Sequence, residues 1–343
     1  MKAIGFRFSL PVSDPASLAD IDLPRPEPTG RDLLVRIEAV SVNPVDTKMR
    51  MRPPTEPGSW KVLGWDAAGT VEAVGPDATL FVPGDTVFYA GALGSAGTNA
   101  EFHLVDERIV GGKPASLSFA EAAALPLTAI TAWETLFDRL DIRSAVRGAA
   151  NALLIIGGAG GVGSITTQLA RKLTDVTVIT TASRTETAEW SRGLGAHHVI
   201  DHSKPLSAEI ERIGIGQPAF VFSTTNTDQH LAEIAKLIAP QGRFALIDDP
   251  AVLDVSPFKV KSVSAHWEFM FTRSMFGTAD IAEQGALLNE VSRLVDAGTL
   301  KTTLTEVFGT ISAENLLRAH ALIESGRARG KIVLAGWPTS GQS

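Results

Sequence analysis

The chain has 343 residues, of which 44% are hydrophobic and 20% are charged, and it contains no cysteine. That length predicts two domains of about 150 residues, each large enough to bury a core. The lack of cysteine excludes a disulfide framework, a thiolate nucleophile and a zinc site built on sulfur. A net charge of −7 without a basic stripe argues against nucleic acid or an anionic membrane as a partner.

The apolar stretches of the sequence are short. Arg7, Ser9 and Pro11 interrupt the N-terminal segment, which therefore lacks the apolar core of a secretory signal. The stretch from residue 122 to residue 130 contains Pro126 and falls short of the roughly 20 residues that cross a bilayer. We therefore predict a cytoplasmic protein without a transmembrane helix.

The first 117 residues are predicted to form a β-rich domain. Short runs of β-type residues, such as DLLVRIEAVSV, GTVEAVG and PGDTVFYAG, alternate with turns that contain Pro and Gly. This pattern is typical of a partly open β-barrel. Near Phe119 the apolar residues change to helical spacing, with Ser118 as a candidate N-cap and Glu121 three residues later. A helix-rich region is therefore expected to begin at this point.

From Ala152 to about residue 268, strands alternate with helices. Apolar strands such as ALLIIGG and AFVFS are separated by amphipathic helices such as SITTQLARKL and DQHLAEIAKLIA. This alternation is typical of parallel strands covered by helices on both faces, which is a doubly wound α/β domain. The tail that follows has two helical stretches and the strand KIVLAG, and we assign it to the first domain. The predicted domains are therefore residues 1–126 with 272–343, and residues 127–271.

The sequence GGAGGVG directly follows the first of these apolar strands. Gly158, Gly160 and Gly163 form the pattern G-x-G-x-x-G, and an amphipathic helix follows them. Glycine permits a tight turn with no Cβ between the backbone and a pyrophosphate, and the helix N-terminus attracts that anion. We therefore predict that a dinucleotide binds here. The predicted contacts in this turn are Gly158, Ala159, Gly160, Gly161, Val162 and Gly163.

The residues after the second strand, VTVITTASRTE, indicate which dinucleotide binds. An Asp or Glu at this place would hold a 2′-hydroxyl, whereas hydroxyl and cationic side chains suit a 2′-phosphate. Ser183 and Arg184 stand at the strand end, and the first carboxylate is Glu186. This favours NADPH over NADH, while Arg184 also fits a solvated residue at the start of the next helix. Lys331 is a further candidate for contact with a cofactor phosphate.

Seven motifs, taken in chain order, resemble those of one known family. They are SVNPVDTKMR, GWDAAGTVEAVG, PGDTVF, ALPLTAITAWETL, GGAGGVG, LGAHHVIDH and GKIVL. Together they resemble the medium-chain dehydrogenase/reductase superfamily, in particular its zinc-independent quinone oxidoreductase branch, which is related to zeta-crystallin. The stretch ALIDDPAVLDVSPFKVKSVSAHWEFMFTRSMF is similar to bacterial proteins described as zinc-type alcohol dehydrogenase-like. The resemblance implies a GroES-like substrate and catalytic domain from both chain ends, a Rossmann NADPH-binding domain between them, and a homodimer.

The chain departs from the zinc-dependent members of this family at the metal ligands. Those enzymes place a Cys where this chain has Asn43, and a His-Glu pair where it has Trp65 and Asp66. Their third ligand, a Cys, falls at about Leu127 here, and the lobe of four cysteines for structural zinc is absent. Asn, Trp and Leu cannot replace two thiolates and an imidazole around zinc, so no metal site is predicted.

The resemblance also implies which residues line the nicotinamide. Asn43 and Asp46 fall where the family keeps residues on the substrate side, and an Asn amide can donate to a developing oxyanion. Asn43 also fits a plain Asn-Pro turn. Thr131 matches the family's nicotinamide-contacting Thr and also fits a helix interior. His266 follows the last predicted Rossmann strand, where it suits either a proton donor or a hydrogen-bonded histidine at a subunit interface.

These residues predict hydride transfer without a metal. The cofactor carries most of the reactivity, so the protein must mainly orient the reactants in a dry pocket. A quinone or an enone accepts hydride readily and needs only one polarised oxygen. We predict an NADPH-dependent, zinc-independent oxidoreductase that reduces a small-molecule quinone or a similar conjugated carbonyl. The alternatives are a 2-alkenal or enone reductase, a non-catalytic NADPH-binding redox sensor or structural protein, and a true zinc alcohol dehydrogenase.

Overall fold

The structure is a computed structural model that describes residues 1–54 and 58–338. The chain divides into two units, one formed by Met1–Ile130 with the chain from Phe271 onward, the other by Thr131–Met270. Relative to the predicted boundaries, the first division falls four residues later and the second one residue earlier. In sequence, the second unit is therefore an insertion within the first.

The N-terminal part of the first unit consists mainly of strands. These are β1 Lys2–Phe6, β2 Ala19–Asp22, β3 Asp32–Ser41, β4 Lys61–Val62, β5 Asp66–Val74, β6 Thr86–Ala90, β7 Phe102–Asp106 and β8 Val110–Gly112. The helices of this part are α1 Pro44–Arg50, α2 Phe119–Ala123 and α3 Pro126–Trp133. The predicted helical stretch after residue 118 is divided because Pro126 has no N–H to continue α2 and begins α3 instead.

The start of α2 is the capping box that the sequence predicts. The Glu121 N–H donates to Ser118 Oγ at 3.3 Å, and the Ser118 N–H donates to Glu121 Oε2 at 2.9 Å. Two N–H groups that have no acceptor within the helix are thereby satisfied. The prediction of Ser118 as N-cap is confirmed.

The second unit is built from strands that alternate with helices. Its strands are β9 Ala150–Ile156, β10 Thr177–Thr181, β11 His198–Ile200, β12 Pro218–Ser223, β13 Arg243–Leu246 and β14 Ser264–Trp267. Its helices are α4 Gly161–Leu173, α5 Thr185–Gly193, α6 Leu206–Ile213 and α7 Thr227–Leu237, and a π-helix spans Glu134–Arg139.

These strands form one parallel sheet in the order β11-β10-β9-β12-β13-β14. This is the 3-2-1-4-5-6 order of the Rossmann fold, whose ligands bind at the carboxyl ends of the strands. The central strands β9 and β12 carry apolar side chains and are buried, because helices cover both faces. The predicted doubly wound α/β domain is confirmed.

The C-terminal part returns to the first unit. It contains α8 Thr272–Phe276, α9 Glu283–Asp296, β15 Leu304–Val307, α10 Ala313–Glu324 and β16 Lys331–Ala335. The predicted long helices and the final strand are present, whereas the four residues of β15 carry too weak a pattern to be predicted. β16 pairs with β3 in antiparallel orientation, which places Lys331 beside the strands that begin the chain.

Two sheets organise the first unit. A small antiparallel sheet has the order β2-β1-β4, and a larger one has the order β15-β16-β3-β5-β6-β8, with β7 also paired to β3. All pairs in the larger sheet are antiparallel except β15 with β16. This β-rich unit matches the predicted GroES-like domain. Among the described residues, no helix is both long and apolar enough to cross a bilayer.

Candidate functional site

The glycine turn lies between the carboxyl end of β9 and the start of α4. An added Cβ at Gly158 would lie 2.4 Å from Thr180 Cβ, and one at Gly163 would lie 2.4 Å from the Gly157 carbonyl oxygen. Both positions therefore require glycine because the backbone and β10 approach too closely for a side chain. The first N–H groups of α4 have no acceptor within the helix and form the positive end of its dipole. The turn thus has the features of an anion site.

The other predicted contacts lie in the same turn. Ala159 precedes the N-cap of α4, which is Gly160, and Gly161 and Val162 begin the helix. Gly160 differs from its glycine neighbours because its φ is −71° and an added Cβ would lie 3.5 Å from the nearest atom, the Gly157 carbonyl oxygen. Packing therefore does not require glycine at residue 160, whereas the close approach of a ligand would.

A cavity of about 350 Å³ lies beside the carboxyl end of β10. Ser183 lines it, and its charged lining residues are Arg184, Arg192, Lys204, Arg212, Asp201 and Glu209. Arg212 binds Glu209 with two hydrogen bonds, and Arg184 forms an ion pair of 3.1 Å with Glu186. The cavity has more cations than carboxylates, so it suits an anionic group.

Buried charges meet at the N-terminus of α1. Lys331 Nζ donates to the Val42 carbonyl oxygen at 3.0 Å, to Asp66 Oδ2 at 3.0 Å and to Asn43 Oδ1. Asn43 Nδ2 donates to Asp66 Oδ2 at 2.8 Å. Asn43, Asp66 and Lys331 are all buried, and we call them the lysine cluster. All three N–H bonds of the ammonium are used by these protein oxygens, so a contact of Lys331 with a cofactor phosphate would require a rearrangement of these bonds and stays a prediction.

The lysine cluster lies where the sequence departs from zinc-dependent relatives. The Leu127 N–H donates to Asp66 Oδ1 at 2.7 Å, so the residues at 43, 66 and 127 meet at one carboxylate. Trp65 is buried beside them, and its ring lies edge-on to Phe271 with the centroids 6.1 Å apart. Sequence reasoning missed the central place of Asp66, for which the available signal is a charged residue at the start of β5, directly before small apolar residues.

Asp46 lies one helical turn from Asn43. Its Oδ2 accepts the Asn43 N–H at 2.8 Å, so it caps α1. Burial raises the pKa of Asp46 to about 7, an effect that the Lys331 ammonium opposes and the Asp66 carboxylate supports. The observed contact is with the helix end, and the predicted catalytic role of Asp46 stays a prediction.

The substitution Asp46→Asn is expected to change how stability depends on pH. Because the folded pKa lies above the ordinary value of 3.8, wild-type Asp46 stabilises the fold below pH 3.8 and loses this contribution as the pH rises through about 7. Asn accepts the same N–H and does not ionise. The urea midpoint of the variant, relative to that of the wild type, should therefore rise between about pH 5 and pH 8. A constant difference over this range would contradict the assignment.

Thr131 and His266 both belong to the second unit and lie in separate elements, with Thr131 near the end of α3, a helix that begins in the first unit. Thr131 is buried within α3, and its carbonyl oxygen accepts the Thr135 hydroxyl at 2.7 Å. His266 is half-buried in β14, with Nε2 3.0 Å from Ser264 Oγ. Burial, followed by the nearby arginines at 139 and 243, lowers the pKa of His266. The imidazole is therefore neutral near pH 7, which makes it a weaker acid than an imidazolium. The predicted roles of both residues stay predictions.

A pair of buried carboxyl groups, which sequence reasoning missed, lies at the carboxyl end of β14. Glu268 Oε2 accepts from Arg139 Nε at 2.8 Å, and Arg139 Nη2 lies 3.9 Å from Glu134 Oε2. Glu268 Oε1 is buried without a hydrogen-bond partner among the described residues, and the Glu134 carboxyl lies within hydrogen-bonding reach of the Glu268 carboxyl. Burial, reinforced by Glu134, raises the pKa of Glu268. We infer that one proton is shared between the two carboxyl groups.

Family models match most of the chain. Residues 29–131 match the alcohol dehydrogenase GroES-like domain, and residues 194–334 match the zinc-binding dehydrogenase family. A zinc-type alcohol dehydrogenase-like protein of Staphylococcus aureus is 41% identical over 339 residues, which cover 97% of this chain and 99% of the relative. A 2-methylene-furan-3-one reductase of Solanum lycopersicum is 28% identical, with 88% of this chain and 71% of that protein covered.

Solved structures share the fold over nearly the whole chain. A protein from Rhizobium etli, described as a candidate zinc-dependent alcohol dehydrogenase, has a TM-score of 0.97 at 65% identity and covers 99% of both chains. A quinone oxidoreductase of Pseudomonas syringae has a TM-score of 0.81 at 26% identity, covering 97% of this chain and 99% of that one. A mycobacterial protein complexed with NADPH has a TM-score of 0.80 at 28% identity, covering 98% and 99%.

The zinc that several of these names imply does not fit the residues of this chain. The side chains at 43, 65 and 127 are an amide, an indole and an isobutyl group, and none is a usual zinc ligand. The Lys331 ammonium is buried among the oxygen atoms that remain, and its charge repels a second cation. Over residues 1–54 and 58–338, no three His, Asp or Glu side chains form a group that could hold a metal.

Proposed function

Because the chain belongs to the medium-chain dehydrogenase/reductase superfamily, we propose that it is an NADPH-dependent reductase that transfers hydride to a quinone or similar conjugated carbonyl without zinc. The observation that carries the proposal is the glycine turn at the carboxyl end of β9, in a sheet with Rossmann strand order. There the N–H groups of α4 would bind the pyrophosphate. Reduced nicotinamide, when bound, supplies the hydride.

The cavity beside β10 supports NADPH as the cofactor. Ser183 offers a hydroxyl, and Arg184 offers a guanidinium that can bind a phosphate with two hydrogen bonds. A ribose 2′-phosphate carries charge that NADH lacks, so an excess of cations at this place favours NADPH. The NADPH complex of the mycobacterial relative is consistent with this choice.

Asn43 in the first unit supports a quinone or a similar conjugated carbonyl as the acceptor. Asn43 would donate from its amide to the oxygen on which charge develops, and Thr131 would contact the nicotinamide. Without a metal, such a site suits an acceptor that is already conjugated. Quinone reduction is the activity named for the Pseudomonas syringae structure, and reduction of a conjugated furanone is the activity named for the tomato relative. The second candidate is therefore a 2-alkenal or enone reductase.

Steady-state assays test this proposal. NADPH oxidation should be followed with a benzoquinone, with phenanthrenequinone and with 2-alkenals, each against NADH at the same concentration. We expect turnover with at least one quinone and a preference for NADPH. Faster turnover with 2-alkenals would favour the second candidate. Tight NADPH binding without oxidation by any acceptor would identify a non-catalytic NADPH-binding protein instead.

Arg184→Ala is expected to weaken NADPH binding by roughly 10- to 150-fold and to leave NADH binding unchanged. The substitution removes a charge-assisted hydrogen bond worth about 1.5–3 kcal/mol. Dissociation constants for both cofactors, from quenching of protein fluorescence, measure the effect. A matched control is Lys236→Ala, because Lys236 is exposed in α7 and pairs with Glu233. Equal losses of NADH and NADPH affinity would contradict the assignment of Arg184.

We also expect a cytoplasmic homodimer. Among the described residues, β14 has β13 as its one neighbour in the sheet, so it is an edge strand. Trp267 and Phe269 beside it are 59% and 48% exposed, and large apolar side chains of this kind are enriched in subunit interfaces. Light scattering coupled to size exclusion should give twice the mass of one chain. A monomer at micromolar concentration would contradict this expectation.

A further inference from the structure

We propose that Lys331 is the resident cation of the substrate-side site and that, together with Asp66, it orients and polarises the Asn43 amide for hydride transfer. This inference rests on the proposed function. In it, Asn43 is the group offered to the substrate, and Lys331 and Asp66 are positioning residues. The lysine cluster lies within the first unit.

Three oxygen atoms converge on the Lys331 ammonium. They are the Val42 carbonyl oxygen, Asn43 Oδ1 and Asp66 Oδ2, and each accepts a hydrogen bond from Nζ. Carbonyl, amide and carboxylate oxygens are ligands that hard cations prefer. The three oxygens are therefore of the kinds that ligate a cation, and Lys331, the first residue of β16, supplies that cation as a fixed positive charge.

The lysine cluster determines which end of the Asn43 amide faces which neighbour. Lys331 has only donors and contacts Oδ1, whereas Asp66 in its ionised form has only acceptors and contacts Nδ2. A flipped amide would set NH₂ against the ammonium and the oxygen against the carboxylate. The amide is therefore locked in a single orientation, which removes a reorganisation step from the reaction.

The same contacts make the side-chain amide of Asn43 a stronger donor through its Nδ2–H bonds. A cation at Oδ1 draws electron density from the amide nitrogen, and hydrogen bonds in such a chain strengthen one another in buried surroundings. One Nδ2 hydrogen is bound to Asp66, while the other makes only a long contact of 3.4 Å with the Ser41 carbonyl oxygen. This second hydrogen is the one that a substrate oxygen would accept.

The lysine cluster would serve the transfer of one hydride and one proton to the acceptor. The C4–H bond of a bound reduced nicotinamide would break, and the hydride with its electron pair would form a C–H bond at the acceptor carbon, which leaves the nicotinamide oxidised. The conjugated π pair of the acceptor moves onto its carbonyl oxygen, which accepts the Asn43 Nδ2–H as negative charge develops. A water molecule then supplies the proton to this oxygen. Lys331 takes no part in the proton transfer, since its role is electrostatic.

The decisive variant is Lys331→Ala, assayed with and without ethylammonium. We expect kcat to fall by about 100-fold, the size of effect seen when one oxyanion donor is lost. The dissociation constant for NADPH should stay within about twofold of wild type, since all three hydrogen bonds of the ammonium go to protein oxygens. Millimolar ethylammonium should restore at least about tenfold of kcat by returning an ammonium to the three oxygens. Tetramethylammonium, which has no N–H, should not.

Two double variants distinguish a loss of catalysis from a folding defect. Asp66→Asn with Lys331→Met removes both charges, so no charge is left buried alone, and it should also lose about 100-fold in kcat. The matched control is Asp22→Asn with Lys2→Met, which removes an ion pair of the same 3.0 Å separation that is exposed on the surface. The control should retain wild-type kcat.

The outcomes separate this inference from the proposed function. Wild-type kcat in the neutral pair variant, or NADPH affinity lost in parallel with kcat, would overturn the positioning role and make Lys331 a structural or a cofactor-binding residue. Absence of turnover in the wild-type protein would overturn the proposed function instead. In that case the role of Lys331 as a resident cation is tested by the melting temperature. Ethylammonium should raise the melting temperature of Lys331→Ala and leave that of the wild type unchanged. A melting temperature of Lys331→Ala that does not rise would overturn this role.

Discussion

Replacing Gly160 by Ala is expected to weaken NADPH binding by about 100-fold, or roughly 2.7 kcal/mol, while the fold is retained. The backbone at this N-cap has a φ of −71°, which Ala adopts freely, and the new Cβ would lie 3.5 Å from the nearest protein atom. The methyl group would instead occupy the space through which the backbone approaches a pyrophosphate. Fluorescence titration with NADPH and the urea midpoint measure the two effects separately.

Gly163→Ala provides the matched comparison within the same turn. Its Cβ would lie 2.4 Å from the Gly157 carbonyl oxygen and 2.7 Å from Gly158 Cα, so backbone atoms must move. Forcing a methyl group into a packed position costs about 1–3 kcal/mol of folding free energy. We expect Gly163→Ala to lower the urea midpoint and Gly160→Ala to leave it unchanged. Wild-type NADPH affinity in Gly160→Ala would contradict the placement of the pyrophosphate at this turn.

The contrast between these two glycines shows which parts of the site can be predicted from sequence. The turn was predictable because a strand, three glycines and a helix are neighbours in the chain, and their spacing alone determines the local geometry. The pattern does not distinguish a glycine required by packing from one required by a ligand. An added Cβ at Gly163 would clash with the backbone of its own turn, whereas one at Gly160 would make an ordinary contact of 3.5 Å, and only the packed structure separates the two cases.

The elements of the fold that could be predicted are those whose sequence signals lie within a few residues of one another. Alternation of buried strands with amphipathic helices predicted the parallel sheet, and a Ser118 capping box predicted the start of α2. β15 escaped prediction because its four residues form a strand only by pairing with β16. The π-helix Glu134–Arg139 escaped for a related reason, since its hydrogen-bond pattern leaves no distinct period in so short a segment.

The contacts of the charged residues could not be predicted because their partners are distant in sequence. Lys331 and Asp66 are separated by 265 residues and meet only because β16 and β5 both pair with β3. Taken alone, Lys331 in GKIVL fits a phosphate ligand as well as a buried cation. Glu134 and Glu268 present the same difficulty, because the signal of either residue alone is an acidic group next to aromatic residues.

Raising the pH from about 6 to about 9 is expected to destabilise the wild-type protein through Glu134 and Glu268, and Glu268→Gln should abolish most of this effect. Burial, with the Glu134 carboxyl as the second cause, raises the pKa of Glu268 from 4.5 to about 9. A group whose folded pKa is raised stabilises the fold fully below its unfolded pKa, here about 4.5, and loses this contribution as the pH rises through the folded pKa. The loss approaches about 1.4 kcal/mol per pH unit between these two values.

Gln at residue 268 reproduces the protonated pair without a titrating proton. Its Oε1 can accept from Arg139 Nε, and its Nε2 can donate to the Glu134 carboxylate. The variant should therefore match the wild-type urea midpoint only below about pH 4.5, and it should exceed the wild type by a margin that grows from pH 6 to pH 9. Glu290→Gln is the control, because Glu290 is partly exposed in α9 and its hydrogen bond with Arg293 lowers its pKa. Parallel stability curves for wild type and Glu268→Gln from pH 6 to pH 9 would show that the two carboxyl groups do not share a proton.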